Sequence, residues 1–130
     1  MTNPPIPLHR TMEDGAANDR AANDLISTER ANTTRLIDAL TRQEQAIVEA
    51  SALTTNDDEH DPEGATVAFE RAQVQGMLRQ ARLDLVDLDR AVARVASGEY
   101  WVCERCGGPI ATGRLEARPA TRICIGCTSP

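Results

Sequence analysis

Cys103, Cys106, Cys124 and Cys127 are the chain's only cysteines, arranged as two C-x2-C pairs with seventeen residues between them. Each pair can turn two sulfurs toward one point, and four thiolates at about 2.3 Å make a closed tetrahedral zinc site. Every position is filled by sulfur, so no place is left for a reactive water, and the expected Zn²⁺ is structural. Gly107 and Gly108 follow the first pair and Gly126 lies inside the second. Glycine suits the sharp turns, because it accepts positive φ. Four thiolates and one Zn²⁺ carry a charge of about −2. Arg105 and Arg122 flank the pairs and could offset it, or stand in solvent. Free redox thiols or disulfides are the alternative chemistry. A reducing compartment favours the metal.

A segment this small does not fold without its metal, and the rest of the chain must position it. The chain has 130 residues and three aromatic ones, Phe69, Tyr100 and Trp101. That is too few for a broad globular core, so a helical seam, a metal or a partner must supply stability. The net charge is −6, and every basic residue apart from the histidines is arginine. An acidic chain lacks the basic footprint that phosphate neutralisation needs, so nonspecific DNA binding is not suggested, and direct sequence-specific DNA binding is not expected either. An acidic chain fits a basic protein surface better. No stretch reaches the roughly 20 apolar residues of a membrane span, and the first residues lack a signal-peptide core. A cytoplasmic location is expected.

Residues 1–17 contain Pro4, Pro5, Pro7 and Gly15 and read as a flexible arm. From Asn18 to Leu53 neither proline nor glycine occurs, and Leu25, Leu36, Leu40 and Ile47 lie near one helical face, with Asn32 and Gln43 interrupting it. Residues 54–61 are polar turn formers. Asp61, Pro62 and Glu63 then read as a helix start: a cap, a proline at the first helical position, and an acid at the positive end of the dipole. The second helix should end at Ser97, stopped by Gly98. Val74, Leu78, Ala81, Leu85, Leu88, Val92 and Val95 alternate steps of four and three, a heptad seam. Arg71, Arg79, Arg82, Arg90 and Arg94 fall off that seam and should be solvated.

Two helices of similar length joined by a short polar break favour an intramolecular antiparallel hairpin over an intermolecular coiled coil, and so a monomer. The expected fold is mainly α: a coiled-coil hairpin over 18–97 with its acidic tip near 54–63, then a four-cysteine zinc finger over 98–130.

The stretches Gly98-Glu99-Tyr100-Trp101-Val102-Cys103-Glu104-Arg105-Cys106-Gly107 and Gly113-Arg114-Leu115-Glu116-Ala117-Arg118-Pro119, each beside a cysteine pair, resemble the zinc finger of the DksA/TraR family. With the hairpin before it, the resemblance spans about residues 18–128. It implies an RNA polymerase partner, a coiled coil passed into the polymerase's secondary channel, and acidic tip residues acting near the active centre to modulate initiation. The corresponding residues here are Asp57, Asp58, Asp61, Glu63 and Ala65. The family's tip pattern is Asp-x-x-Asp-x-Ala. Counting back from Cys103 puts its alanine at Ala65, its second acid at Glu63 and its first at His60, beside Asp61. A second register uses Asp58 and Asp61 and sets Glu63 where alanine is expected. By its chemistry alone the cluster is a solvated loop with Asp61 as a cap, or an acidic probe for a basic channel.

Arg118 matches an arginine that the resemblance places on a ppGpp-contacting surface; it could equally pack on the finger. The chain stops three residues after Cys127, without the helix longer members carry there, so dependence on ppGpp is not expected. Two other readings stay open. A zinc-ribbon nucleic-acid binder would use Arg105, Arg114, Arg118 and Arg122, though no aromatic platform is interleaved with them. A hairpin factor would lend its tip acids to transcript cleavage by polymerase. The chain itself is not read as an enzyme, because His9 and His60 have no readable nucleophile partner.

Overall fold

The computed structural model describes residues 12–53 and 62–128, with the side chains of 15–53 and 64–128 among them. Two long helices dominate, α1 (Met12–Leu53) and α2 (Pro62–Ser97), followed by two short ones, α3 (Thr112–Ala117) and α4 (Ile125–Thr128). Among the described residues β-structure is limited to one antiparallel bridge, Val102 with Pro109. The fold class expected from the pattern is the one observed. α1 begins at Met12, inside the segment that composition assigns to an arm. The three prolines all precede it, and Gly15 lowers helix propensity by only about 1 kcal/mol, too little to stop a helix of 42 residues.

The chain divides into two compact units. In the unit formed by residues 29–89, α1 and α2 run antiparallel. Gln75 donates to the Glu44 carboxylate at 3.1 Å, and the Arg30 guanidinium meets Asp89 at 2.9 Å. A step of 14 residues forward along α1 between these pairs is matched by 14 back along α2. One register therefore holds over four turns of helix. Leu40, Val74 and Leu78 are buried together, with Ile37 and Ile47 against them.

Burial along α1 falls on Ala22, Ile26, Thr33 and Leu40, with Ile37, Glu44 and Ile47 half-buried between. These positions keep a heptad spacing. The seam expected from the apolar residues is thus corrected. Leu40 and Ile47 belong to it, whereas Leu25 and Leu36 are 37% and 46% exposed, and Asn32 and Gln43 are also outside it. The difference arises because two seam positions are polar. Thr33 satisfies its hydroxyl internally by donating to the Glu29 carbonyl at 2.9 Å, and Glu44 takes its bond from Gln75.

On α2 the expected seam holds at Val74, Leu78, Ala81, Leu85, Leu88 and Val95, but Val92 is 45% exposed and Ala91 is buried. From Arg90 onward α2 belongs to the unit that contains the finger, so a different set of neighbours covers it.

The other unit combines residues 12–28 with 90–128. Its interior contains Ala22, Ile26, Ala91, Val95, Tyr100, Cys103, Ile110 and Leu115. α2 stops at Ser97 as expected. Gly98 adopts φ +79. The Gly98 N–H bonds to the Val95 carbonyl at 3.2 Å and the Glu99 N–H to that of Arg94 at 2.9 Å, the two bonds of a Schellman stop.

The corrected α1 seam predicts a contrast between two leucines one turn apart. Leu40 is 4% exposed and Leu36 46%. Urea denaturation should show Leu40→Ala losing about 2–4 kcal/mol and Leu36→Ala under about 1 kcal/mol. Equal losses would restore the apolar stripe as the true seam.

Candidate metal centre

The first cysteine pair sits on a tight turn after α2. The Cys103 N–H donates to the Gly108 carbonyl at 2.8 Å and the Gly107 N–H to the Cys103 carbonyl at 3.0 Å. Gly107 has φ +73, the backbone state that glycine tolerates without cost from a side chain. The amides inside this turn point at sulfur: Arg105 N–H reaches Cys103 Sγ at 3.4 Å, and Gly108 N–H reaches Cys106 Sγ at 3.4 Å. The second pair is held by the start of α4, where Cys127 N–H bonds to the Cys124 carbonyl at 3.1 Å. The two knuckles join through Cys124 N–H to Cys103 Sγ at 3.3 Å and Glu104 N–H to the Arg122 carbonyl at 2.9 Å.

All four Sγ atoms lie within 4.8 Å of one another. Cys106 and Cys124 Sγ are 3.7 Å apart, against the edge of about 3.8 Å that four bonds of 2.3 Å set in a tetrahedron. The residues fit one structural Zn²⁺ held by Cys103, Cys106, Cys124 and Cys127.

The sulfurs differ in their hold on protons. Backbone amides of Cys124 and Cys106 stabilise the Cys103 thiolate and bring it down to about 6. Cys127 is pushed up to about 12, first by the Cys124 sulfur and then by burial. Like charges crowded together cannot all ionise until a cation joins them.

Around the sulfurs, three arginines hold the chain. Arg105 Nη1 donates to the Cys127 carbonyl at 3.0 Å, joining the two knuckles. Arg114, on α3, donates through Nε to the Ile123 carbonyl at 2.9 Å and through Nη2 to Thr128 Oγ1 at 2.8 Å. Arg94 is the residue that sequence patterning misplaces. Expected in solvent, it is 8% exposed. Nη1 donates to Glu104 Oε1 at 3.0 Å, and Nη2 to the Glu99 and Val102 carbonyls at 2.9 and 2.8 Å. Its own carbonyl accepts the Glu99 and Tyr100 N–H groups. Heptad position carries no sign of this, because the partners come from the turn after the helix. Arg71, Arg79, Arg82 and Arg90 are exposed, as expected.

Arg122 lies 3.9 Å from Glu104 Oε2, so its charge faces that carboxylate. Tyr100 is buried with its hydroxyl donating to the Pro119 carbonyl at 2.8 Å; burial raises its pKa, partly opposed by Arg94. Trp101 meets the Tyr100 ring edge-on at 5.1 Å. Arg118 is exposed, with its backbone N–H on the Arg114 carbonyl. Ala65 is exposed on the first turns of α2. Asp57, Asp58 and Asp61, and the side chain of Glu63, lie outside the described residues.

Residues 97–129 match the family described as prokaryotic dksA/traR C4-type zinc finger. This module is similar to the DksA/TraR zinc finger. A stretch of 47 residues is 43% identical to the RNA polymerase-binding transcription factor DksA of Caulobacter vibrioides, covering 36% of this chain and 32% of that protein. A stretch of 43 residues is 44% identical to an uncharacterized protein of Aquifex aeolicus, covering 33% of this chain and 30% of the relative. The chain thus spans about a third of the length of these relatives. In fold the likeness is wider. Transcription factor DksA2 from Pseudomonas aeruginosa superposes with a TM-score of 0.71 at 22% identity, covering 86% of this chain and 81% of that one.

The finger's geometry generates two predictions. Zinc must displace the Cys127 proton, which is held up to about pH 12, whereas Cys103 is already ionised above about pH 6. Zinc affinity should therefore rise with pH, about tenfold per unit for each proton released, and more steeply below pH 6, where Cys103 also holds a proton. Chelator competition from pH 5 to 8 checks this; a flat profile would be wrong for this cluster. Arg94→Met should cost about 2–4 kcal/mol in urea denaturation of the zinc-loaded chain, since three acceptors lose their donor. Arg82→Met, on the exposed face, should change stability by under about 0.5 kcal/mol.

Proposed function

We propose that this chain is a transcription regulator that binds RNA polymerase and is not itself an enzyme. The 43% identity of a 47-residue stretch to a protein named as an RNA polymerase-binding transcription factor carries the reading. The fold agrees over most of the chain. In this proposal α1 and α2 carry the segment between them into the polymerase's secondary channel. Asp57, Asp58, Asp61 and Glu63 bring negative charge there, with Ala65 beside them on α2. The net charge of −6 suits a basic protein channel. The regulator acts as a monomer in the cytoplasm; among the described residues no helix is long and apolar enough to cross a membrane. ppGpp has no required part in the proposal.

The nucleic-acid reading loses support from the finger's arginines. Arg105 and Arg114 spend their donors on the finger's own carbonyls and on Thr128, and Arg122 faces Glu104. A phosphate backbone would have to compete with these partners.

The test is a pull-down with core RNA polymerase, run beside transcription in vitro, comparing wild type with Asp61→Ala/Glu63→Ala. Both proteins should bind, and the variant should lose the effect on initiation. Absence of binding by the zinc-loaded wild type would refute the proposal.

A further inference from the structure

A groove of about 180 Å³ opens in the unit that contains the finger, between the first turns of α1 and the chain around Trp101. Ala21, Ala22 and Leu25 form its α1 side, Tyr100 and Trp101 its aromatic floor, and Leu115 and Glu116 of α3 its far wall. Leu25 is 37% exposed and Trp101 half-buried, so apolar surface faces solvent here. Neither the metal centre nor the proposed polymerase tip uses this groove.

We infer that the groove is the docking site of the chain's own N-terminal segment, with Pro4-Pro5-Ile6-Pro7-Leu8 laid against Trp101. Three observations select this occupant. The first is chemistry: a proline-rich apolar run is pre-set in an extended helix and docks on aromatic-lined grooves at low entropic cost. This run, Pro4 to Leu8, is the chain's only such sequence.

The second is reach. From Met12 to Asn18, at the groove's edge, the helix advances about 9 Å, and the residues from Leu8 to Met12 span up to about 13 Å when extended. The segment can therefore turn back along α1. Five residues of polyproline geometry cover about 15 Å, against about 10 Å of α1 between Asn18 and Leu25.

The third is charge. Residues 1–11 contain Arg10 and His9 and no acid, in a chain of net charge −6. The groove carries one charged lining residue, Glu116. Tethering raises the segment's effective concentration to the millimolar range, where a weak contact is occupied.

Trp101 is the chain's single tryptophan, so its emission reports on the groove directly. The zinc-loaded full chain is compared with Ile6→Ser/Leu8→Ser, both checked for zinc content and helicity. The variant should emit at longer wavelength and be quenched severalfold more by acrylamide, and a peptide of residues 1–11 at millimolar concentration should reverse both changes. In the wild type, nuclear Overhauser effects should join the Ile6 or Leu8 methyls to the Trp101 indole, a readout that does not depend on the variant. Identical emission and quenching in the two proteins, with no such effects, overturns the inference. Protection of Trp101 that grows with protein concentration assigns the groove to a second copy and overturns it. Protection gained only on adding core RNA polymerase assigns it to that partner and overturns it too.

Discussion

Four sulfurs held within 4.8 Å of one another set the terms for the finger. Without a cation their negative charges repel, and the chain answers by leaving Cys127 protonated while backbone amides hold Cys103 ionised. With Zn²⁺ the same crowding becomes attraction, and metal affinity becomes folding free energy. The module has little else to fold with. Its interior depends on a few side chains, chiefly Tyr100, Ile110 and Leu115. Its backbone bonds are turns, caps and one bridge rather than a sheet.

The centre reaches the helix before it through Glu104. This residue lies between the first two cysteines. Its N–H bonds the chain before the second pair, and its carboxylate accepts from Arg94 and faces Arg122. Arg94 returns the connection through two further bonds to the turn that leaves α2. A change in the first knuckle is therefore felt at the Schellman stop, where Arg94's carbonyl takes the Glu99 N–H. Arg94 Nε is buried without a hydrogen-bond partner. That costs stability, which the charged bond to Glu104 and the two carbonyl bonds must outweigh.

The parts of this architecture legible in the sequence are those whose cause is local. Cysteine spacing is local, and so is the Gly98 stop; both stand as read. The helices are legible because long stretches free of proline leave few alternatives. The seam of α1 is not, because its positions hold Ala22, Thr33 and Glu44 while Leu25 and Leu36 lie outside it. Hydrophobicity ranks those residues in the wrong order, and only the partner helix decides. Arg94 fails for the same reason. Its burial depends on acceptors at Glu99, Val102 and Glu104, which a helical pattern ending at Ser97 does not contain. The tip acids gain nothing here, since they lie outside the described residues and their assignment still rests on sequence.

The polar seam has a consequence for the unit formed by residues 29–89. Its apolar cluster is small, centred on Leu40, Val74 and Leu78. The Arg30–Asp89 pair is half exposed on both sides, and such pairs contribute under about 1 kcal/mol. Neither it nor the Glu44–Gln75 bond explains much stability. What they discriminate is register: sliding α2 by one heptad would separate Gln75 from Glu44 and Asp89 from Arg30 together, while leaving apolar residues still facing apolar residues. Polar groups at seam positions are known to select one pairing at some cost in stability. If the residues between α1 and α2 act on a partner, a fixed register matters more than a deep core, because a shifted helix would move Ala65 and the acids before it by about 10 Å.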